Sequence, residues 1–313
     1  NIYNGTDVHF PISGVECSPY LPPVVAFVIA ASVTSAGVSG AFLILPFQMS
    51  VLGFTSPAVS ATNLLYNIVA IPGGVSQYIR EGRMAWPIAY TTLFGTLPGI
   101  FIGAIIRIRY MPDARSAKFF VGLVLLWLGY RLLSEWFARL RGAPAAKSAI
   151  EAKFRKKLPK DAVVKTLSVS ARRIEYTFWG ETFSFSPLAM FALAFAVGVA
   201  GGIYGIGGGA VIAPFLVSVM RLPVYTIAGA SLFGTFITSI VGVGFFEYLA
   251  RLPMSEGTAV RPDWLLGALF GAGGLAGTFV GARLQKYMPE RWIRLVLGVL
   301  VTGVALRYVA QFL

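Results

Sequence analysis

The sequence predicts an all-α polytopic membrane protein built as two inverted repeats with broken or re-entrant helices, plus a small cytoplasmic α+β insert. Three observations predict it. The chain is 56% hydrophobic and only 12% charged, far from the globular norm of about 25% charged residues, and apolar runs long enough to span a bilayer recur along it. The first half repeats in the second at a constant offset. Both copies carry a glycine cluster inside an apolar stretch, where non-helical backbone is tolerated only if protein buries it or water lines it.

The duplication can be read residue by residue. Gly37, Gly40, Pro46 and Phe47 match Gly205, Gly208, Pro214 and Phe215, and the register runs without a gap to Leu64 and Leu232. After an insertion in the second copy, Trp86 matches Trp264, and Gly95, Gly99 and Gly103 match Gly273, Gly277 and Gly281. Tyr110-Met111-Pro112 answers Tyr287-Met288-Pro289, Gly122 answers Gly298, and Arg131 answers Arg307. Such a repeat governs how every motif inside it is weighed.

In chain order, residues 1–23 form a polar extracytoplasmic segment without Lys or Arg that closes on Pro22-Pro23. Residues 24–137 are the first transmembrane repeat. Its opening apolar stretch, Val24 to Leu52, is too long for one upright span, and glycines 37 and 40 with Pro46 behind them predict two shorter helices meeting at a break. Paired short spans and re-entrant hairpins both fit. Spans follow at Ser56–Ile79, Trp86–Ile106 and Ala117–Phe137.

Residues 138–186 are the insert, with a basic helix expected over Ala145–Leu158 and a β-hairpin over Lys165–Phe185 around Trp179-Gly180-Glu181. Residues 187–313 repeat the first pattern, with Leu188–Leu222 broken at Gly205 to Gly209, then Tyr225–Leu249, Trp264–Leu284 and Trp292–Leu313. Tyr78, Trp86, Tyr248 and Trp264 fit the aromatic belt of a membrane interface.

Charge sets topology and excludes classes. The net charge of +13 does not point to nucleic acid, because 11 of the 26 Lys and Arg fall between Arg139 and Arg173. A basic cytoplasmic loop explains this. If each broken stretch returns to the side it came from, the halves are inverted and 19 Lys and Arg lie inside against 7 outside. One histidine, one cysteine and no carboxylate pair within a span leave little acid, base or metal chemistry, so the reading has no catalytic residue, no metal and no cofactor. Gly205-x-Gly207-x-x-Ala210 follows an apolar helix and no strand, which removes the dinucleotide reading.

The residues that fill a site come from the breaks. Helix amino termini present unpaired N–H groups and partial positive charge, an anion site that needs no lysine. No Lys or Arg lies in the middle of a predicted span. Glycine amides, hydroxyls and carboxamides remain: Gly37, Ser39, Gly40, Asn63 and Asn67 from the first half, and Gly205, Gly207, Gly208, Gly209, Ser231 and Thr235 from the second. Asn63 and Asn67 share one helical face, where interhelical bonding is the competing role. The spaced glycines at 95, 99 and 103, and at 273, 277 and 281, read as packing positions.

The Gly-rich break followed by Pro-Phe, the Ala228–Leu232 segment, the Trp-initiated helix with spaced glycines and the closing Met-Pro resemble the sulfite exporter TauE/SafE family of membrane permeases. The resemblance covers both halves. It implies a multi-pass carrier in a bacterial or archaeal inner membrane that moves small sulfur-containing anions such as sulfite, thiosulfate or sulfonates, surrounded by lipid and compatible with a homo-oligomer. The first half departs from the pattern, with Ser39 and Ala41 where the second has Gly207 and Gly209. Two alternatives stay open at this stage: a carrier of an unrelated small anion, and a membrane sensor or assembly partner that works through the basic insert.

Overall fold

The computed structural model describes residues 7–111, 114–140, 158–159, 162–204, 212–252, 259–288 and 290–310. The first half contains α1 (Leu21–Val33), α2 (Ala41–Ser50), α3 (Ala58–Arg80), α4 (Trp86–Arg109) and α5 (Ala114–Leu140). The second contains α6 (Pro187–Tyr204), α7 (Ile212–Ser218), α8 (Val224–Leu249), α9 (Trp264–Leu284) and α10 (Glu290–Ala310). Among the described residues, four helices are long and apolar enough to cross a membrane: α3, α4, α8 and the helix that begins at Trp264. The expected basic helix at Ala145–Leu158 falls almost wholly outside the described residues.

Local chemistry explains the ends. Pro22 and Pro23 open α1, where a missing N–H is harmless. A 3₁₀ turn at Thr34–Ala36 continues α1 and stops at Gly37, whose φ of 73° is a left-handed stop. A side chain there would also meet Ala228 Cα at 2.6 Å, so both conformation and space demand glycine. Helix α9 is capped by Asp263, which accepts from the Leu266 amide at 3.1 Å and ties down the amino-terminal segment through Ser13 Oγ at 2.9 Å.

The two halves interlock. Helix α1 packs on α9 and α4 packs on α6, so the opening helix of each half lies against the fourth helix of the other. The contact of α3 with α9 has its equivalent in α8 with α4, and the central pairs are α3 with α8 and α5 with α10. The spaced glycines make the α1–α9 and α4–α6 seams: a side chain on Gly99 would meet Phe195 O at 2.5 Å, and one on Gly277 would meet Phe27 O at 2.5 Å. Small residues let the backbones approach closely, where lipid offers no hydrophobic drive between helices.

Direction follows from the same contacts. Gly242 lies against Leu64, Gly74 against Leu232 and Gly229 against Tyr78, so α3 and its repeat counterpart α8 run antiparallel. Gly122 lies against Tyr308 and Gly129 against Thr302, which makes α5 and α10 antiparallel as well.

Two β elements accompany the helices. A short hairpin pairs β1 (Val8–Phe10) with β2 (Val15–Cys17) in the segment read as merely polar; it buries Phe10 and Val15. In the insert, β3 (Val164–Val169), β4 (Ile174–Phe178) and β5 (Glu181–Phe185) form a three-stranded antiparallel meander. The expected hairpin at Trp179-Gly180 is present as β4–β5, with φ of 52° and 76° at the two turn residues. The extra strand arises because Ser170 closes a second turn, its Oγ donating to Arg173 O at 2.7 Å. Tyr176 ends buried, its hydroxyl 3.0 Å from Thr226 Oγ1 at the start of α8. Tyr78 is corrected from belt to core: it is fully buried and donates to Thr34 O at 3.2 Å, while Trp86, Tyr248 and Trp264 are exposed as expected.

Candidate functional site

The site is built where the first break meets the crossing of α3 and α8. A side chain on Gly37 would meet Ala228 of α8 and, at 3.3 Å, Ala213 at the start of α7, so the first break lies beside both helices. Past Gly37 the chain turns inward, and Ser39 Oγ donates to Asn67 Oδ1 while accepting from the Ala41 amide at 3.2 Å. Asn67 Nδ2 reaches across to Ser239 Oγ of α8 at 3.1 Å. Asn63 Nδ2 donates to Ala41 O at 3.0 Å and so holds the first residue of α2. All four polar side chains are fully buried. Buried polar groups without partners cost about 1–3 kcal/mol each, which explains why this cluster is internally bonded.

The sequence-derived set divides in three. Ser39, Asn63 and Asn67 come together around the first break. Gly37 and Gly40 belong to the same place, and Gly40 is required because a side chain there would meet Tyr66 Oη at 2.3 Å. Ser231 and Thr235 are buried on α8, but Thr235 Oγ1 donates to Ser231 O at 2.8 Å and neither hydroxyl bonds the first-half cluster. Gly205, Gly207, Gly208 and Gly209 lie outside the described residues.

The antiparallel crossing explains this division. Asn67 faces Ser239 and Gly74 faces Leu232, so the two helices pass each other at the level of residues 69 and 237, the pair related by the repeat. Asn67 and Thr235 each lie two residues from that centre, about 3 Å along their helices, whereas Asn63 and Ser231 lie six residues away in opposite directions, about 9 Å each. Residues matched in sequence are therefore not matched in contact. Ser239 was missed for this reason, although Ser231, Thr235 and Ser239 form a four-residue stripe on one face of α8.

Two more buried polar groups escaped the sequence reading. Tyr66 shares the helical face of Asn63 and Asn67, and its hydroxyl stops against Gly40 with no hydrogen-bond partner among the described residues. Gln48 on α2 is fully buried, and neither atom of its amide has a partner among the described residues. The isolated Gln in the apolar run Phe42–Met49 was the available signal.

Chemically, the centre is polar and uncharged: hydroxyls and carboxamides donate, and no ionisable side chain bonds to this cluster among the described residues. Nor do the described residues bring three or more His, Cys, Asp or Glu together. Such a set can hold an anion by hydrogen bonds and release it again, without the cost of burying a fixed cation.

The model of the sulfite exporter TauE/SafE family matches residues 23–308. The chain belongs to the TauE/SafE family. The match spans both halves and the insert, leaving out only the first 22 residues and the last few. Relatives include the probable membrane transporter protein YunE of Bacillus subtilis (strain 168), 23% identical over 89% of this chain and 93% of its own length. A probable membrane transporter protein of Xylella fastidiosa (strain 9a5c) is 26% identical over 86% of this chain and 87% of its own length. No solved structure matches. As a member of the TauE/SafE family with four long apolar helices, the protein is a multi-pass membrane transporter.

Proposed function

We propose that this protein is a secondary transporter of small sulfur-containing anions such as sulfite, thiosulfate or sulfonates, bound between two halves disposed as inverted repeats. The observation that carries the reading is Asn67, which links Ser39 at the first break to Ser239 on α8, beside Gly37, where a side chain would run into Ala228 of α8 and Ala213 of α7. The antiparallel course of α3 and α8, and of α5 and α10, supports inversion of the halves about an axis near Val69 and Ile237. Midplane sites at broken helices are a recurring design of such carriers. Gly205 to Gly209 would supply amides from the second side, with Thr235 closest to the centre.

On this reading the membrane is a bacterial or archaeal inner membrane, the amino-terminal segment is extracytoplasmic, and the insert is cytoplasmic. Reconstituted protein is tested for uptake and efflux of radiolabelled sulfite, thiosulfate and a small sulfonate, with and without an imposed pH gradient. Saturable flux of one, inhibited by the others, is the expected result. Flux of an unrelated anion with none of these three would overturn the substrate class.

A further inference from the structure

The face that carries the insert holds a cavity of ≈ 530 Å³, within the range of small-molecule sites. One wall is ionic, formed by Arg80, Glu81 and Arg83 after α3 and by Lys286 after α9. The opposite wall is apolar, formed by Leu158 and Ala162 with their neighbours. The insert is held over the opening by backbone bonds: Leu158 N donates to Lys286 O at 3.1 Å, and Val164 N donates to Gly82 O at 2.9 Å.

Three cations face one carboxylate here. Glu81 receives Arg83 Nη2 at 2.5 Å and Lys286 Nζ at 2.9 Å, so its charge is already shared. Arg83 is 2% exposed, lies 4.7 Å over the Tyr78 ring and also donates to Gln285 Oε1 and to Ala282 O at 3.2 Å. Its Nε is buried with no hydrogen-bond partner among the described residues. Arg80 has no ion-pair partner among the described residues and stands exposed at the rim. The excess of two positive charges, one of the cations being the buried Arg83, is set against an apolar wall and has no compensating anion among the described residues, a combination that favours an oxyanion with a carbon skeleton attached.

We propose that this cavity binds a phosphate ester, its phosphate on Arg80, Lys286 and the Arg83 edge and its carbon portion against Leu158 and Ala162. The ester comes either from the headgroup of an anionic phospholipid or from a soluble phosphorylated metabolite. The site is separate from the central cluster but joined to it by a short chain of bonds: Arg83 to Gln285, Gln285 Nε2 to Ser35 O at 2.7 Å, and Gly37 N to Thr34 O at 2.9 Å.

The purified full-length chain in a neutral detergent is titrated with glycerol 3-phosphate and, separately, with short-chain phosphatidylglycerol, with phosphatidylcholine of the same chain length as control, and the melting midpoint is followed. One of the two anionic probes raises the midpoint in a saturable way and phosphatidylcholine does not. The half-saturating concentration rises about tenfold in Arg80→Gln and in Lys286→Gln, as loss of a charge-assisted contact implies, and Arg80→Lys stays near the wild type. Response to glycerol 3-phosphate marks a soluble ligand; response to phosphatidylglycerol alone marks the lipid. If neither probe shifts the midpoint, or if Arg80→Gln responds as the wild type does, the site is refuted. Arg80 is exposed and has no ion-pair partner among the described residues, so its substitution leaves folding intact.

Discussion

The centre of the α3–α8 crossing and the rim at the ends of α3 and α9 are both buried polar regions, built from opposite materials. The centre uses Ser39, Asn63, Asn67 and Ser239, all neutral. The rim uses Arg83, Glu81 and Lys286, joined as ion pairs. Depth accounts for the difference. Bringing an ion from water into a medium of low dielectric costs on the order of 20 kcal/mol before relaxation, and on the proposed reading a carrier that releases its ligand from this centre gains nothing from a permanent counter-ion there. At the rim, water still reaches Glu81 and Lys286, which are 19% and 20% exposed, and ion pairs there cost far less.

The largest expected effect tests the neutral centre. Asn67→Leu leaves Ser39 and Ser239 each without the amide, at about 1–3 kcal/mol apiece, and abolishes flux of the transported anion, whereas Asn67→Gln retains part of it. Flux assays on both variants, with the fold checked by melting, decide the matter. If Asn67→Leu transports normally, the centre is only interhelical bonding.

Next comes the ionic rim. Arg83→Met breaks a buried pair and leaves Gln285 and Ala282 O without their donor, for a loss of about 3–5 kcal/mol; chemical denaturation of the solubilised protein measures it. Arg83→Lys recovers only part, because the fork and the stacking on Tyr78 need a planar guanidinium.

The Glu81 side of the same cluster gives a pH test. Burial pushes the Glu81 carboxyl up, but Arg83 and the bonds from Lys286, Gln77 and Arg83 outweigh it and hold the group below its ordinary value. A carboxyl lowered in the folded state contributes stability above its unfolded pKa and loses it as pH falls through the folded one. Glu81→Gln therefore melts below the wild type at neutral pH, and the gap closes as pH drops below about 4. A gap that stays constant into acid would show that the charge of Glu81 is immaterial.

The smallest effect comes from Gly244, with Gly37 as its contrast. A side chain on Gly244 would meet nothing within 4 Å, so Gly244→Ala is neutral or gains up to about 1 kcal/mol of helix stability. Gly37→Ala, with its positive φ and Ala228 behind it, destabilises instead. Melting of the two variants side by side separates glycine as a hinge from glycine as filler.

Much of the fold was legible because it is written locally. The Pro22-Pro23 pair and the glycines of the first break mark where α1 begins and ends, Trp264 marks where α9 begins, and the long apolar runs delimit α3, α4 and α8. The first-half cluster was legible for the same reason: Ser39 sits in the break, and Asn63 and Asn67 share a helical face, so few partners remained for them. The amino-terminal hairpin was missed because three-residue strands are too short to show alternation, and Tyr78 was misplaced because an aromatic near a helix end looks the same from the sequence whether it faces lipid or core.

The sequence by itself determined the duplication, the position of the first break and the absence of charge from the middle of the spans, since each is read from residue identity along the chain without knowing which helices touch. Tertiary structure decided which of those residues meet. Because α3 and α8 cross antiparallel, sequence-matched positions diverge from the centre in opposite directions, and Ser239 takes the place next to Asn67 that no offset along the chain assigns. The same holds at the rim, where Arg83 and Gln285 stand 202 residues apart and join only because α3 and α9 pack side by side. Close approach of small residues fixes those packings, and that fit is a property of two surfaces rather than of either sequence run.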